Sequence, residues 1–291
     1  MDNFCLRTRK EVLLSPVVPP LDSSAPTEMK LWRMKTMDTE TPECIRTFSL
    51  PEVVTCVCAN EDNEILVLGC KSGVLYYVQG DLSRSRRCNP IRFSHSFDAP
   101  ITGLHMFYSE DQKSLFLYAL TEKTTGCYCI ARTNRKNIRY EELDPLNGCR
   151  RGCSCITDSG ECMVARDGGL FRFRGMEGVG CYAIPGPKQC IGCFKDCMLV
   201  CSVHDNSQLI TIYNLQAHFI EYQAILQRDD HTEWVQEALS QWGDVFLFTD
   251  NHSIFCLHRL DLQTKLAILY KQKLYALALT IAHSNDLYYN S

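Results

Sequence analysis

A strand-rich unit recurs along most of this chain, and this recurrence constrains the fold more than any other feature. Each unit opens with an apolar strand-like run, continues with a second run that ends near a turn residue, and closes with a third run rich in Tyr, Phe or Leu. The openings recur at roughly 40 to 50 residues, a period typical of four-stranded β-propeller blades. The pattern predicts a mainly β chain, with five visible blades at Val53–Val78, Ile101–Ala131, Cys153–Phe173, Cys190–Tyr213 and Trp234–His258.

The two ends of the chain have a different character. Residues 1–28 contain the segments SPVVPP and LDSSAP, in which prolines remove backbone donors, and we expect an irregular tail there. Lys30–Met34 resembles the third strand of a further blade. Near the other end, apolar residues recur every three or four positions, which predicts a helical segment over residues 261–291 after blades that occupy 29–260. These apolar residues are Leu262, Leu266, Tyr270, Leu274, Leu277 and Ile281.

Composition and charge exclude several classes of protein. The chain of 291 residues is 45% hydrophobic and 22% charged, as in folded globular proteins. Its formal net charge is -4 with both signs interspersed, so we expect no nucleic-acid partner. No apolar run approaches the roughly 20 residues of a membrane-spanning helix, and the first residues lack the apolar core of a signal peptide. We therefore expect a cytoplasmic chain.

The 18 cysteines raise the question of a metal site. A structural zinc ion needs four thiolate or imidazole ligands, usually delivered by two C-x-x-C knuckles. The candidate set is Cys149, Cys153, Cys190 and Cys193, but only the last two have knuckle spacing. Reduced cysteine is also a small residue that is often buried, so core filling is the preferred interpretation. We expect no metal and no cofactor, and a zinc-stabilised or thiol-reactive domain stays the alternative.

Sequence motifs of catalysis are missing from the chain. Cys256 and His258 share one face of a predicted strand, where a thiol and its base could meet, but a packed pair without reactivity is far commoner. The chain has no G-x-S-x-G, G-x-x-x-x-G-K-[ST] or H-E-x-x-H segment. We nominate no catalytic residue and expect a binding protein.

Basic residues in one predicted loop are weak candidates for partner binding. Arg84, Arg86 and Arg87 lie between strand-like runs, and exposed loop charges often contact partners or anionic lipids. A solvated hairpin is the default interpretation of these arginines. Five aromatic residues are interpreted as packing between adjacent blades, where their large apolar area is buried. They are Trp32, Trp234, Trp242, Tyr76 and Tyr77.

Eight segments give the chain a specific resemblance. It resembles the amino-terminal region of the family of vacuolar protein sorting-associated protein eleven, a class C core subunit of the HOPS and CORVET tethering complexes. The segments that carry the resemblance are Lys30–Met34 (KLWRM), Val53–Cys58 (VVTCVC), Gly80–Arg87 (GDLSRSRR), Pro100–Leu104 (PITGL), Leu146–Cys155 (LNGCRRGCSC), Leu209–Tyr222 (LITIYNLQAHFIEY), Gln241–Asp250 (QWGDVFLFTD) and Asp261–Ala282 (DLQTKLAILYKQKLYALALTIA).

The resemblance implies a fold and a function. The fold is an incomplete seven-bladed WD-type β-propeller of about five blades, followed by the first helices of an α-solenoid, as in a fragment or short isoform. The function is that of a non-enzymatic scaffold in docking and fusion of endosomes, lysosomes or vacuoles and autophagosomes. Implied partners are the other class C subunits, the Rab-binding subunits and the SNARE-handling subunit, with peripheral membrane association through the complex. A generic propeller adaptor in another complex is the second alternative.

Overall fold

The computed structural model describes most of the chain as strands, with two helices near its end. The described residues are 6–7, 12–17, 27–33, 43–50, 52–60, 65–80, 90–109, 113–131, 138–194, 197–215, 218–227, 234–241, 244–258 and 260–289. They divide into two compact units, residues 1–188 and 189–291.

The first unit contains four sheets of four strands, each in chain order. The first sheet consists of β1 (Leu6–Arg7), β2 (Val12–Val17), β3 (Thr27–Arg33) and β4 (Glu43–Leu50). The second consists of β5 (Val54–Ala59), β6 (Ile65–Cys70), β7 (Val74–Gln79) and β8 (Ile91–Ser96). The third consists of β9 (Ile101–Ser109), β10 (Ser114–Thr121), β11 (Thr125–Ala131) and β12 (Ile138–Asp144). The fourth consists of β13 (Ser154–Ile156), β14 (Glu161–Arg166), β15 (Gly169–Arg174) and β16 (Glu177–Tyr182).

The second unit contains the fifth and sixth sheets and both helices. The fifth sheet consists of β17 (Lys188–Phe194), whose first residue still belongs to the first unit, β18 (Cys197–His204), β19 (Ser207–Asn214) and β20 (Phe219–Gln227). The sixth consists of β21 (Val235–Gln241), β22 (Asp244–Thr249) and β23 (Ile254–Leu257). The helices are α1 (Leu262–Lys271) and α2 (Tyr275–Tyr289).

The predicted irregular tail over residues 1–28 is corrected by the structure. β1 and β2 fall inside it, and both belong to the sheet in which β3 is the third strand, as the Lys30–Met34 segment indicated. Pro16 is compatible with β2 because it has no neighbour in β1, which pairs with Leu13 and Leu14. A proline has no backbone N–H to donate, so it is tolerated where one edge of a strand is unpaired. The five predicted blades correspond to the second to sixth sheets, and the first sheet adds to them.

Consecutive sheets of the first unit meet through their first strands and through apolar side chains. β5 contacts β9, and β9 contacts β13. Val67 and Leu75 of the second sheet share one buried cluster with Leu117 and Tyr128 of the third sheet. The ring of Phe93 lies 4.9 Å from that of Tyr128, within the range of favourable aromatic pairs. Sheets that repeat side by side in this way bury their apolar faces against one another.

Cysteines contribute to the core of the second unit. Cys190, Cys197 and Cys201 are almost fully buried and belong to a cluster with Leu199 of the fifth sheet and Val245 of the sixth. This burial is what the core-filling interpretation of the thiols predicts.

The helical segment is interrupted once. Asp261 caps α1, accepting a hydrogen bond from the Thr264 backbone N–H at 2.9 Å. Lys273 then adopts a left-handed φ of 60°, which ends the turn before α2, so the predicted apolar stripe runs across a break between two helices. Lys265 of α1 forms a salt bridge of 2.8 Å with Glu221 of β20. Neither of the two described helices is long and apolar enough to cross a membrane.

Candidate functional site

A cleft of about 570 Å³ in the first unit could receive a group from a partner molecule. It lies beside the loop that joins β12 to β13 and beside the ends of β14 and β15. Both signs of charge line it. The lining residues are Glu122, Asp144, Leu146, Asn147, Gly148, Cys149, Arg150, Cys153, Ala165, Arg166, Asp167, Gly168, Phe171 and Lys188.

Arg166, the last residue of β14, organises this cleft. Its Nη1 atom donates to Asp144 Oδ2 at 2.7 Å, its Nη2 atom to the Asn147 carbonyl at 2.8 Å, and its Nε atom to the Gly148 carbonyl at 3.0 Å. The guanidinium also lies over the Phe171 ring, 4.6 Å from its centroid. The planar fork of arginine suits several acceptors at once, so this one side chain ties the fourth sheet to the loop after the third.

Asp144 holds the start of the same loop. Its Oδ1 atom accepts hydrogen bonds from the backbone N–H groups of Leu146 and Asn147, at 3.2 and 3.1 Å. Burial would raise the pKa of Asp144, but the hydrogen bonds from Arg166 and Asn147 outweigh burial, and the pKa is lowered. Asp144 is therefore a carboxylate at neutral pH, as its pairing with Arg166 requires.

The middle of the loop is fixed to the third sheet. The Cys149 backbone N–H donates to the Thr121 carbonyl at 2.8 Å, and Thr102 Oγ1 donates to the Cys149 carbonyl at 2.8 Å. A Cβ at Gly148 would lie 1.8 Å from the Thr121 carbonyl oxygen, so only glycine fits there. The loop is held at its start, by Asp144, and at its middle, by Thr121.

This fixed loop presents two different side chains to solvent. Leu146 is 84% exposed, the highest value among the large apolar side chains of the described residues, and Arg150 is exposed as well. Deeper in the cleft, Lys188 Nζ donates to the carbonyls of Arg166 and Gly186, each at 2.7 Å. Burial lowers the pKa of Lys188. An exposed apolar side chain beside charges of both signs is a surface that a protein partner could cover.

Two of the cysteines considered for zinc line this cleft as protonated thiols. Burial raises the pKa of Cys149 to about 12. The Cys153 thiol donates to the Lys188 carbonyl at 3.4 Å. Both cysteines are almost fully buried, and the Cys153 thiol already has a carbonyl acceptor, so core filling is favoured over metal binding.

The other two lie on β17 of the second unit. Cys190 is fully buried in the apolar cluster of that unit, and the Cys193 sulfur lies 3.7 Å from the Met198 sulfur. Over the described part of the chain, the one group of at least three His, Cys, Asp or Glu side chains close enough to share an ion contains none of the four cysteines considered for zinc.

That group consists of Asp244, Cys256 and His258. His258 Nδ1 lies 2.9 Å from Asp244 Oδ1 and 3.9 Å from Cys256 Sγ. In a nucleophilic triad the carboxylate and the thiol meet opposite nitrogens of the ring, whereas here both meet Nδ1. Partial desolvation, and then the Asp244 charge, raise the pKa of Cys256, which disfavours a reactive thiolate. The geometry agrees with the predicted pair without nucleophilic reactivity.

The structure describes some of the remaining residues named from the sequence and leaves others outside the described ranges. Arg84, Arg86 and Arg87 lie outside the described residues, so their role stays a prediction. Tyr76 is buried, and Tyr77 packs edge-on against Phe93 with 5.1 Å between ring centroids, in keeping with a packing role. The sequence did not single out Arg166 or Asp144 as functional. The one sequence feature that pointed to this region was the segment Leu146–Cys155 (LNGCRRGCSC), which carries part of the family resemblance and overlaps the cleft loop.

Comparisons with known proteins give both the fold and the family. The β-propeller domain of Cps50 (Swd1) from Myceliophteria thermophila superposes with a TM-score of 0.61 at 15% identity, covering 89% of this chain and 85% of that one. Hsv2p from Kluyveromyces lactis gives a TM-score of 0.59 at 12% identity, covering 90% and 75%. At this identity the likeness shows the fold alone, and the fold is that of a β-propeller, mainly β with helices at the end.

Relatives found by sequence identify the family, which the similar structures do not. The vacuolar protein sorting-associated protein 11 homolog of Mus musculus is 25% identical over 283 residues, which is 89% of this chain and 29% of the relative. The homolog of Arabidopsis thaliana is 27% identical over 226 residues, 76% of this chain and 22% of the relative. The chain thus spans less than a third of the length of these relatives. A family model described as PEP5/VPS11 N-terminal matches residues 17–258. Because this match covers most of the chain, the chain belongs to the PEP5/VPS11 N-terminal family.

Proposed function

We propose that this chain is a non-enzymatic scaffold subunit of a multi-subunit complex for vacuolar protein sorting. The complex tethers endosomes, lysosomes or vacuoles, and autophagosomes before docking and fusion. Its partners are the other class C tethering subunits, the Rab-binding subunits of HOPS and CORVET, and the SNARE-handling subunit. Membrane contact is peripheral and is made through the complex.

The family match over residues 17–258 is the observation that carries this proposal. The relatives are named as vacuolar protein sorting-associated proteins. A β-propeller presents loops on a rigid frame, which suits a binding role and demands no catalytic group. The protonated state of Cys149 and the arrangement around His258 agree with this, because neither provides an activated nucleophile.

Within this role we assign the cleft loop to subunit contact. Leu146 supplies exposed apolar area, and Arg150 lies four residues further along the same loop and is exposed too. Arginine is a typical anchor of protein interfaces, Leu146 adds apolar area beside it, and the charged lining of the cleft gives the polar rim.

Co-purification tests the proposal. The tagged chain is expressed together with the class C, Rab-binding and SNARE-handling subunits of its own source, and the material that elutes with it is identified by mass spectrometry. We expect at least one class C subunit to elute with the chain at salt concentrations that remove weak contacts. Elution of the folded chain with none of them contradicts the scaffold role.

A matched pair of variants tests the assigned surface separately. Leu146→Asp combined with Arg150→Glu should reduce the recovered partner roughly tenfold or more, because both anchors are removed. Val179→Asp changes an exposed apolar residue of β16 that is 44% exposed and should leave recovery unchanged. If the double variant and the control recover the same amount of partner, the assignment of the cleft loop to subunit contact is wrong, but the proposed scaffold role is not affected.

A further inference from the structure

Three side chains of metal-binding type converge on the sixth sheet, in the second unit. β22 and β23 pair with Val245 opposite Leu257 and Phe246 opposite Cys256. Continuing this register by one residue places Asp244 opposite His258. Because side chains alternate between the faces of a sheet, Cys256 and His258 project on one face, together with Asp244.

This face is the one that the core does not use. Val245 and Leu247, which alternate with Asp244 along β22, are buried in the apolar cluster. Cys256 and His258 are exposed, and Asp244 is intermediate. The three polar side chains are therefore open to solvent, and an ion could reach them without opening the core.

The distances suit a shared ion. His258 Nδ1 lies 2.9 Å from Asp244 Oδ1 and 3.9 Å from Cys256 Sγ, and all three ligand atoms fall within 4.8 Å of one another. A tetrahedral zinc ion with bonds of 2.0–2.3 Å places its ligand atoms about 3.3–3.6 Å apart. The nitrogen and oxygen would need to separate by about 0.4 Å, and the sulfur would need to approach the nitrogen by about 0.3 Å and the oxygen by up to about 1.2 Å. Exposed side chains can make such shifts by changing their rotamers.

The donor set selects the kind of ion. One carboxylate oxygen, one imidazole nitrogen and one thiolate sulfur suit a borderline divalent ion, whereas Mg²⁺ and Ca²⁺ prefer oxygen ligands only. Three protein ligands leave a fourth position for water or for a ligand from another molecule.

We propose that Asp244, Cys256 and His258 form a three-ligand site for a divalent transition-metal ion of the zinc class. The site is distinct from the four cysteines that were considered for zinc as the alternative to core filling. It does not depend on the proposed scaffold function, and either proposal can fail without the other.

Titration of the full chain with Co²⁺ tests the site. The purified, reduced protein is freed of metal with a chelator, and Co²⁺ is added while the thiolate-to-metal charge-transfer absorption is followed. We expect a single Co²⁺ ion per chain with a thiolate band that Zn²⁺ displaces. Cys256→Ser should abolish the band, and Asp244→Asn should weaken binding roughly tenfold or more.

Cys181→Ser is the matched control, since Cys181 is an exposed cysteine on strand β16 of the fourth sheet. It should leave the titration unchanged. All substituted side chains are at least partly exposed, and thermal melts of the metal-free variants check that each still folds. The proposal is overturned if no thiolate band forms, or if the band persists in Cys256→Ser, which would place the ion on other thiols.

Discussion

The Nε2 atom of His105 lies 2.8 Å from the Oγ atom of Ser154, and this contact joins β9 of the third sheet to β13 of the fourth. Gly103 makes the approach possible, because a Cβ there would come within 2.4 Å of the same oxygen. Burial lowers the pKa of His105 to about 4, so the ring is neutral at pH 7. The pair links two sheets. The lowered pKa of His105 comes from burial and not from a neighbouring charge.

Acid should weaken the fold through His105. Its pKa is lower in the folded chain than the ordinary value of 6.5, so the unfolded chain binds the proton more tightly, and stability is lost as the pH falls from 6.5 towards 4. Between pH 7 and pH 5 this residue should account for about 2 kcal/mol of lost unfolding free energy. Urea unfolding at the two pH values measures the loss, and His105→Gln should show a smaller one. An equal loss in both proteins would assign the acid sensitivity to other groups.

Gly148→Ala should destabilise the chain strongly. The added Cβ would overlap the Thr121 carbonyl oxygen, and backbone must move to admit it, at a cost of about 2 to 3 kcal/mol. Gly168→Ala is the control in the same cleft, because a Cβ there meets none of the described atoms within 4 Å and should change stability by less than about 0.5 kcal/mol. Denaturant midpoints compare the two variants. Similar midpoints would show that the loop relaxes around Gly148.

Arg166→Lys should lower stability although it keeps the charge. A lysine cannot reach Asp144, Asn147 and Gly148 together, so carbonyl groups lose their donors, and we expect a loss of about 2 to 3 kcal/mol. Arg139→Lys, at an exposed position of β12, should be nearly neutral. Thermal melts of both variants measure the difference. A neutral Arg166→Lys would mean that charge alone holds the loop.

The order of thiol reactivity should follow burial and thiol pKa together. In the native chain we expect Cys44 and Cys181, which are exposed, to react first with an alkylating reagent. Cys256 should react more slowly than these two despite its exposure, because its pKa is raised. Cys149 should stay unmodified until denaturant is added, since it is buried with a pKa of about 12. Mass spectrometry after short exposure gives the order, and early labelling of Cys149 would contradict the buried-thiol interpretation.

Strands could be predicted from the sequence where they are buried, because buried strands consist of apolar runs. The first three strands of the second to fifth sheets carry apolar runs that were recognised, as in β10, which is buried at seven of eight positions. The fourth strands are half exposed, as in β12 with the sequence IRYEELD, and such strands give a weak apolar signal. The first two strands of the first sheet were missed because the prolines of residues 1–28 favoured a tail.

The helices and the cleft show two further limits of sequence patterns. Apolar periodicity located the helical segment, but it continues across Lys273, whose left-handed φ is a single-residue event that periodicity does not register. The pair Arg166 and Asp144 is separated by 22 positions, and only the packing of two sheets brings the residues together. The resemblance drew attention to the loop segment, but the contacts that hold it are tertiary.

The anchored loop after β12 has a consequence for any molecule that covers it. Asp144 and Arg166 have already restricted the backbone around Leu146, so the conformational entropy of that segment is largely lost on folding. A partner that buries this leucine gains its apolar area without having to order the chain that carries it. Association at this loop should therefore resemble rigid docking, with little change in the free loop's structure.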